Sequence, residues 1–519
     1  MRRRIEVRLC LLLALLIGGT VLLPAEGAEP PRFSLNLDLT LAQAGTAQAP
    51  TIPSAGEMPL SLRDGMVLAL KNNLDIAVEG FNPRLRAQDL TNEKAVFDPG
   101  AFLEFTRSDN RAPSSSIFSP GQTLSDLWDF NAGIRQKLPT GGTYEFRFNN
   151  ERFNTSSTST SDGYTSKLSL SLTQPLLKNF GFAATETNIR IATNNQSISR
   201  EQLRLRVSDI VTQVQNAYFD LIFAIENLEV QRRSLRLAQE LVALNKARVR
   251  AGVAAPVEVT QAEAQEAARV QDVILAEKAV RDAEDTLKVV LNLPAGGGWG
   301  QEIRPTDTPG FEVTPINLDA AIQKAMENRY EYKSAKLDID NKELSVRLTR
   351  NQLLPDLSLT SSVTMNGFGG AYGSDLSELG SGHFISYSVG VVLTVPLGNR
   401  AAQASYIKSK LTADQARTSL KQLELQIMQQ VREAVRRVEA DAKRIEANRA
   451  ARALAEEQLR VERRRLEAGV TTTFNVLSFQ RDLAAVQANE IRAVTDYNKS
   501  LANLEKVQGT VLERNRIEM

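Results

Sequence analysis

The chain has 519 residues, 62 Lys+Arg against 61 Asp+Glu, a formal charge of +1 and a mean hydropathy of −0.24. So even a balance argues against a dedicated nucleic-acid binder, which carries a strong basic excess. One histidine, His383, and one cysteine, Cys10, are too few for a disulfide or a Cys/His zinc site, so no metal, no cofactor and no enzyme chemistry are expected.

Arg2, Arg3, Arg4 and Arg8 form a basic start, Leu9 to Leu23 is an almost unbroken apolar run, and Pro24 to Ala28 supplies small residues. This is the layout of a secretory signal peptide over 1–28, cleaved on export. The alternative, an uncleaved anchor helix, is disfavoured because a span needs ~20 apolar residues. Cys10 would leave with the leader. So would four Arg and two Glu, leaving 58 basic and 59 acidic groups. Residues 29–57 read as a linker, and no later apolar run reaches the length of a transmembrane helix.

From residue 58 the same plan is written twice. Leu62, Ala69, Asn72 and Pro99 match Leu318, Ala325, Asn328 and Pro355 at an offset of 256. Leu172-Thr173-Gln174-Pro175-Leu176 matches Leu393-Thr394-Val395-Pro396-Leu397 at 221, and Ala251-Gly252-Val253 matches Ala468-Gly469-Val470 at 217. Matching features in one order predict tandem repeats, 58–295 and 316–512, with a linker at 296–315 and a tail at 513–519. The fall in offset marks 35 extra residues in the first repeat, between Pro99 and Pro175.

Each repeat opens with a helix, expected over 60–96 and over 317–352. Strands follow, within 101–174 and within 356–395. Tyr144, Phe146 and Phe148 alternate with Glu145, Arg147 and Asn149; Leu168, Leu170 and Leu172 alternate with Lys167, Ser169 and Ser171; Val389, Val391 and Leu393 share one parity. Segments of ~10 residues with one apolar and one polar face suit the lipid-facing wall of a closed barrel. A half-buried soluble sheet alternates in the same way. The extra residues hold a further hairpin, 127–150, turning at Pro139-Thr140-Gly141-Gly142. It either joins the wall or projects outside. Ser108 to Gln122, Asn154 to Asp162 and Gly367 to Gly382 are rich in Ser, Thr and Gly and read as long exposed loops.

Long helical hairpins are expected at 186–292 and 401–508. Ile210, Val211, Val214, Ala217, Tyr218, Leu221 and Ile222 follow helical spacing, as do Ile427, Val431, Ala434, Val435 and Val438 in the twin. Residues 188–250 contain neither Gly nor Pro. A continuous helix there would run roughly 95 Å at ~1.5 Å per residue, which calls for a coiled-coil or bundle setting. Gly252 and Gly469 break the helices at matching points, placing tips near 251–258 and 468–475, and Pro256 suits the first turn of a return helix.

Fragments of catalytic motifs do not assemble. Ser405-Tyr406-Ile407-Lys408 has the S-x-x-K form, but Ser108-Asp109-Asn110 precedes it and no K-T-G follows. Gly296-Gly297-Gly298-Trp299-Gly300 lacks the Lys and helix of a phosphate loop, and His383 sits in a loop sequence without Cys or His neighbours.

Taken with Phe97-Asp98-Pro99, the Gln174–Gly181 segment, the Val395–Arg400 segment and the two Ala-Gly-Val tips, the duplicated plan resembles the TolC-like outer membrane efflux family over about Leu60 to Leu512. The resemblance implies an α+β membrane protein: a trimeric transmembrane β-barrel of shared strands, continuous with a long periplasmic α-helical barrel, built from two tandem structural repeats. It implies a homotrimer in outer membrane lipid, with a periplasmic adaptor (membrane fusion) protein and an inner-membrane transporter as partners. Its function would be the exit duct of a tripartite efflux or type I secretion system. Twelve strands would line the barrel with four from each chain, or eighteen if the extra hairpin joins. It places adaptor docking at Ala251, Gly252, Val253, Ala468, Gly469 and Val470, and a periplasmic constriction at Glu258, Thr471 and Asn475. Asn475 stands where the family often has an acid, and Thr471 where an Arg helps latch the closed state. A non-transporting envelope scaffold with a β anchor and a periplasmic coiled coil is the competing reading.

Overall fold

The computed structural model describes residues 56–114, 121–155, 162–294, 299–313 and 315–519. The expected leader with Cys10, most of the linker after it and Gly296 to Gly298 lie outside them.

Strand β1 (Glu57–Leu60) leads into three helices, α1 (Leu62–Asn72), α2 (Leu74–Glu79) and α3 (Phe81–Lys94). The single helix expected over 60–96 is therefore broken. Asn73 takes an extended ψ of 123°, and its Oδ1 accepts from Asp75 N at 2.9 Å and Ile76 N at 3.3 Å. It closes one helix and caps the next in a single residue. Four long strands follow: β2 (Gly100–Ser114), β3 (Gly121–Lys137), β4 (Thr143–Thr155) and β5 (Asp162–Pro175). A single turn, α4 (Phe182–Thr185), precedes α5 (Thr187–Arg250) and α6 (Pro256–Leu291). At 64 residues, α5 runs about 96 Å.

The second half repeats the order. After β6 (Glu302–Pro305) come α7 (Leu318–Asn328) and α8 (Tyr330–Asn351). The helix expected over 317–352 is split at Arg329, whose ψ is 128°. Then come β7 (Asp356–Gly369), α9 (Tyr372–Ser381), β8 (Ile385–Thr394), α10 (Arg400–Glu467), α11 (Thr473–Gln508) and a last turn, α12 (Val511–Arg514), which straddles the expected boundary between the second repeat and the tail at 513–519.

Six strands form one antiparallel sheet in the order β2-β3-β4-β5-β7-β8. The extra hairpin is thus in the middle of the sheet. Its register places Phe148 beside Leu168, Phe146 beside Leu170 and Tyr144 beside Leu172. Leu168, Leu170 and Leu172 face Met365, Val363 and Ser361, and Val389, Val391 and Leu393 pair with Ser361, Leu359 and Leu357. All the apolar strand residues expected to face lipid therefore share one side of the sheet. The other side carries Glu104, Glu145, Arg147 and Lys167 in the first half and Ser358, Thr360, Ser362 and Thr364 in the second, as the two-residue period requires.

The stretches expected as long loops differ from that expectation where they are described. Strands occupy 108–114 and 121–122 of the first and 154–155 and 162 of the second, the residues between lying outside the described ones, and Gly367–Gly382 holds α9. That helix folds back onto the apolar side of the sheet. Asp375 is fully buried there, accepting from the Ser166 hydroxyl and from Ser166 N at 3.0 Å. Gly367 and Gly369 make the approach possible, because a Cβ at either would lie 2.4 Å from an α9 oxygen.

The helices pack into a layer. The α5–α6 and α10–α11 hairpins meet along α5 and α11, and nearer the sheet α8 lies against both α5 and α10, with α3 against α5. Midway, β1 and β6 pair in parallel. Tyr218, fully buried, donates to the Leu60 carbonyl at 3.0 Å and accepts from Asp307 N at 3.2 Å, tying this belt to α5.

Candidate functional site: the hairpin tips

Both tips end in the same backbone device. Gly252 N donates to Val249 O and Val253 N to Arg248 O; Gly469 N donates to Leu466 O and Val470 N to Arg465 O. These paired bonds satisfy helix carbonyls and require a left-handed residue, and both glycines sit at φ +73°. Ala251, Gly252, Val253, Ala468, Gly469 and Val470 are exposed, the two valines at 66% and 65%.

Just inside the tips the two hairpins are joined by polar side chains. Thr473, on the first turn of α11, is buried; its hydroxyl lies 2.9 Å from Glu258 Oε2 on α6 and 3.2 Å from Asn245 Oδ1 on α5. Asn245, also buried, donates to the Glu258 carbonyl at 3.4 Å. A second cluster lies within the other hairpin. Glu462 is buried, accepts from Thr471 Oγ1 and pairs with Arg465 at 3.3 Å, while Asn475 Nδ2 donates to Thr471 at 3.0 Å. Below them Leu241 from α5 packs with Leu459, Leu466, Val476 and Leu477.

Glu258 is therefore half-buried and engaged with Thr473, whereas Asn475 is exposed. Thr471 and Asn475 are brought together, but Glu258 belongs to the other cluster. Sequence reasoning missed Asn245, Glu462 and Thr473. Two of them left a signal. Asn245 continues the apolar spacing of Ala238, Leu241 and Val242, and Glu462 lies between Leu459 and Leu466 on one helix face. A polar residue on an apolar stripe must find a partner when it is buried.

Among the described residues, no helix is long and apolar enough to cross a membrane, and no group of His, Cys, Asp or Glu is arranged to hold a metal. An amphipathic sheet joined to two long helical hairpins is an architecture suited to a membrane wall continued by a helical tunnel. The chain is 26% identical over 336 residues to the outer membrane efflux protein BepC of Brucella suis biovar 1 (strain 1330), covering 64% of this chain and 69% of that one. It is 23% identical over 344 residues to the outer membrane protein TolC of Vibrio cholerae serotype O1 (strain ATCC 39315 / El Tor Inaba N16961), covering 64% and 74%. Its fold matches the outer-membrane channel OprN with a TM-score of 0.64 at 16% identity, over 86% and 89% of the two chains. The family model described as outer membrane efflux protein matches residues 67–293 and 321–510. The chain belongs to that family: it is a TolC-like channel protein of the outer membrane.

Proposed function

We propose that the chain is one third of a homotrimeric exit duct, with its sheet in the outer membrane and its helices in the periplasm. One observation carries this reading: among the described residues the sheet is apolar on one side yet ends in two unpaired edges, β2 and β8. Open edges are untenable in hydrocarbon, so the sheet must close with other copies.

The helical layer supports the same closure. Its two outer helices near the tips carry opposite excesses, α6 with eight acidic and four basic residues and α10 with ten acidic and sixteen basic. Both expose apolar residues, Ile274 and Leu275 on α6 and Leu425 and Leu454 on α10. Joining α6 of one chain to α10 of the next is a head-to-tail contact that generates a ring.

In this reading the tips form the periplasmic gate. Thr473 latches one hairpin to the other through Glu258 and Asn245, and Asn475 contributes a neutral ring where three chains meet. The exposed Ala-Gly-Val turns dock a periplasmic adaptor, which connects the duct to an inner-membrane transporter in a tripartite efflux or type I secretion assembly. Opening is a shift between packed helix arrangements. The test is conductance of purified protein in liposomes. Thr473→Val together with Asn245→Leu should raise the open fraction several-fold over the parent chain. A complete lack of conductance in both proteins, with the protein inserted, would reject the duct and favour a scaffold.

A further inference from the structure

We infer that the exit barrel of this protein is eighteen-stranded, and so about half again as wide as a twelve-stranded wall at equal tilt. The inference rests on the trimeric duct proposed above and adds its calibre. Three features of the sheet carry it.

The first is the position of the extra hairpin. β3 and β4 sit in the interior of the strand order, held by ladders from Gly100↔Arg135 to Ser114↔Gly121 on one side and from Thr143↔Thr173 to Asn154↔Asp162 on the other. Projecting them as a loop would open both ladders and force β2 onto β5. The second is continuity of the apolar side. Phe130, Ile134, Phe146 and Phe148 of the hairpin share the face of Leu168, Leu170, Val363 and Val391. At the loop end this side carries Trp128 and Tyr164, with Arg107 and Arg152 over their rings, as at the border of a membrane-spanning wall. The third is parity. Six antiparallel strands leave β2 and β8 running in opposite directions, so β8 of one chain meets β2 of the next antiparallel, and three seams of one kind close the ring.

With strands ~4.8 Å apart and tilted by ~40°, eighteen give a backbone diameter of about 36 Å and twelve about 24 Å. A ring of twelve long helices at ~9–10 Å spacing has a girth of ~110–120 Å, close to the ~113 Å of the eighteen-stranded wall. The wider wall continues the helical tunnel without a neck and admits bulkier cargo than a twelve-stranded exit.

The experiment is the barrel cross-section of the full chain in lipid nanodiscs by electron microscopy, beside its native mass. Eighteen strands in a trimer are expected. Twelve strands in a trimer overturn the inference and leave the duct standing, whereas a stable monomer removes the duct itself. Cysteine accessibility in vesicles gives a second readout, with Cys10 replaced by Ser. Phe146→Cys should resist a membrane-impermeant maleimide while Asn149→Cys reacts through the lumen. Equal reaction of both positions overturns a wall location for the hairpin.

Discussion

Gly252 and Gly469 carry the sharpest requirement on residue type at the tips. Each has φ +73° and open space where a Cβ would stand, so an alanine there meets no clash and only the left-handed backbone penalty. Gly252→Ala or Gly469→Ala should cost about 1–2 kcal/mol locally. The readout is faster amide exchange at Val253 or Val470, with helix content elsewhere unchanged. Glu226, midway along α5, has a pH signature. Burial pushes its carboxyl above the usual range. The folded chain therefore holds that proton to higher pH than the unfolded chain does. The resulting stabilisation is present below the ordinary carboxylate range and is lost as pH rises through the raised value. Glu226→Gln should accordingly raise the thermal midpoint at pH 7.5 by a degree or more, and the gain should vanish near pH 4. An equal gain at both pH values would exclude desolvation as the cause.

At the scale of elements, the chain between the two halves is stapled by a buried pair on α6. Glu284 and Lys288 lie 2.8 Å apart with side-chain exposures of 11% and 5%. Glu284 Oε1 accepts from Ile303 N at 3.0 Å, and Lys288 Nζ donates to Trp299 O at 2.8 Å. Lys288→Met strands the carboxylate and should cost ~3–5 kcal/mol, while Lys288→Met with Glu284→Gln should recover part of it. Exchange at the Ile303 amide and proteolysis near Trp299 measure both. In the sheet, Gly133 lies under the Phe102 ring, and a Cβ there would sit 2.5 Å from that ring and 2.6 Å from the Phe146 carbonyl. Gly133→Ala should lower the yield of assembled protein severalfold. Adding Phe102→Ala should not restore it, because the backbone contact remains. The helices α5 and α10 were legible in the sequence because an unbroken 3.6-residue period over many turns has no competing reading. The breaks at Asn73 and Arg329 were not, since only the cap geometry distinguishes them from helix interior. Helix α9 was hidden for another reason. Its Ser- and Gly-rich stretch resembles a loop until Asp375 finds Ser166 on a strand two hundred residues earlier.

At the scale of the whole molecule, β2 and β8 are the two opposite edges of the sheet and do not pair with each other. With Leu103→Cys on β2 and single cysteines stepped along β8 from Ile385 to Thr394, oxidation should give linked dimers and trimers. An exclusively intramolecular product would contradict ring closure. The duplicated order, the alternating strands and the tip glycines were readable because each is a local pattern of residue type and spacing. The partners of Thr473, the central place of the extra hairpin and the fold-back of α9 were decided only in three dimensions. Each depends on which distant segments meet, and alternation states that a strand has two faces without naming the strand beside it.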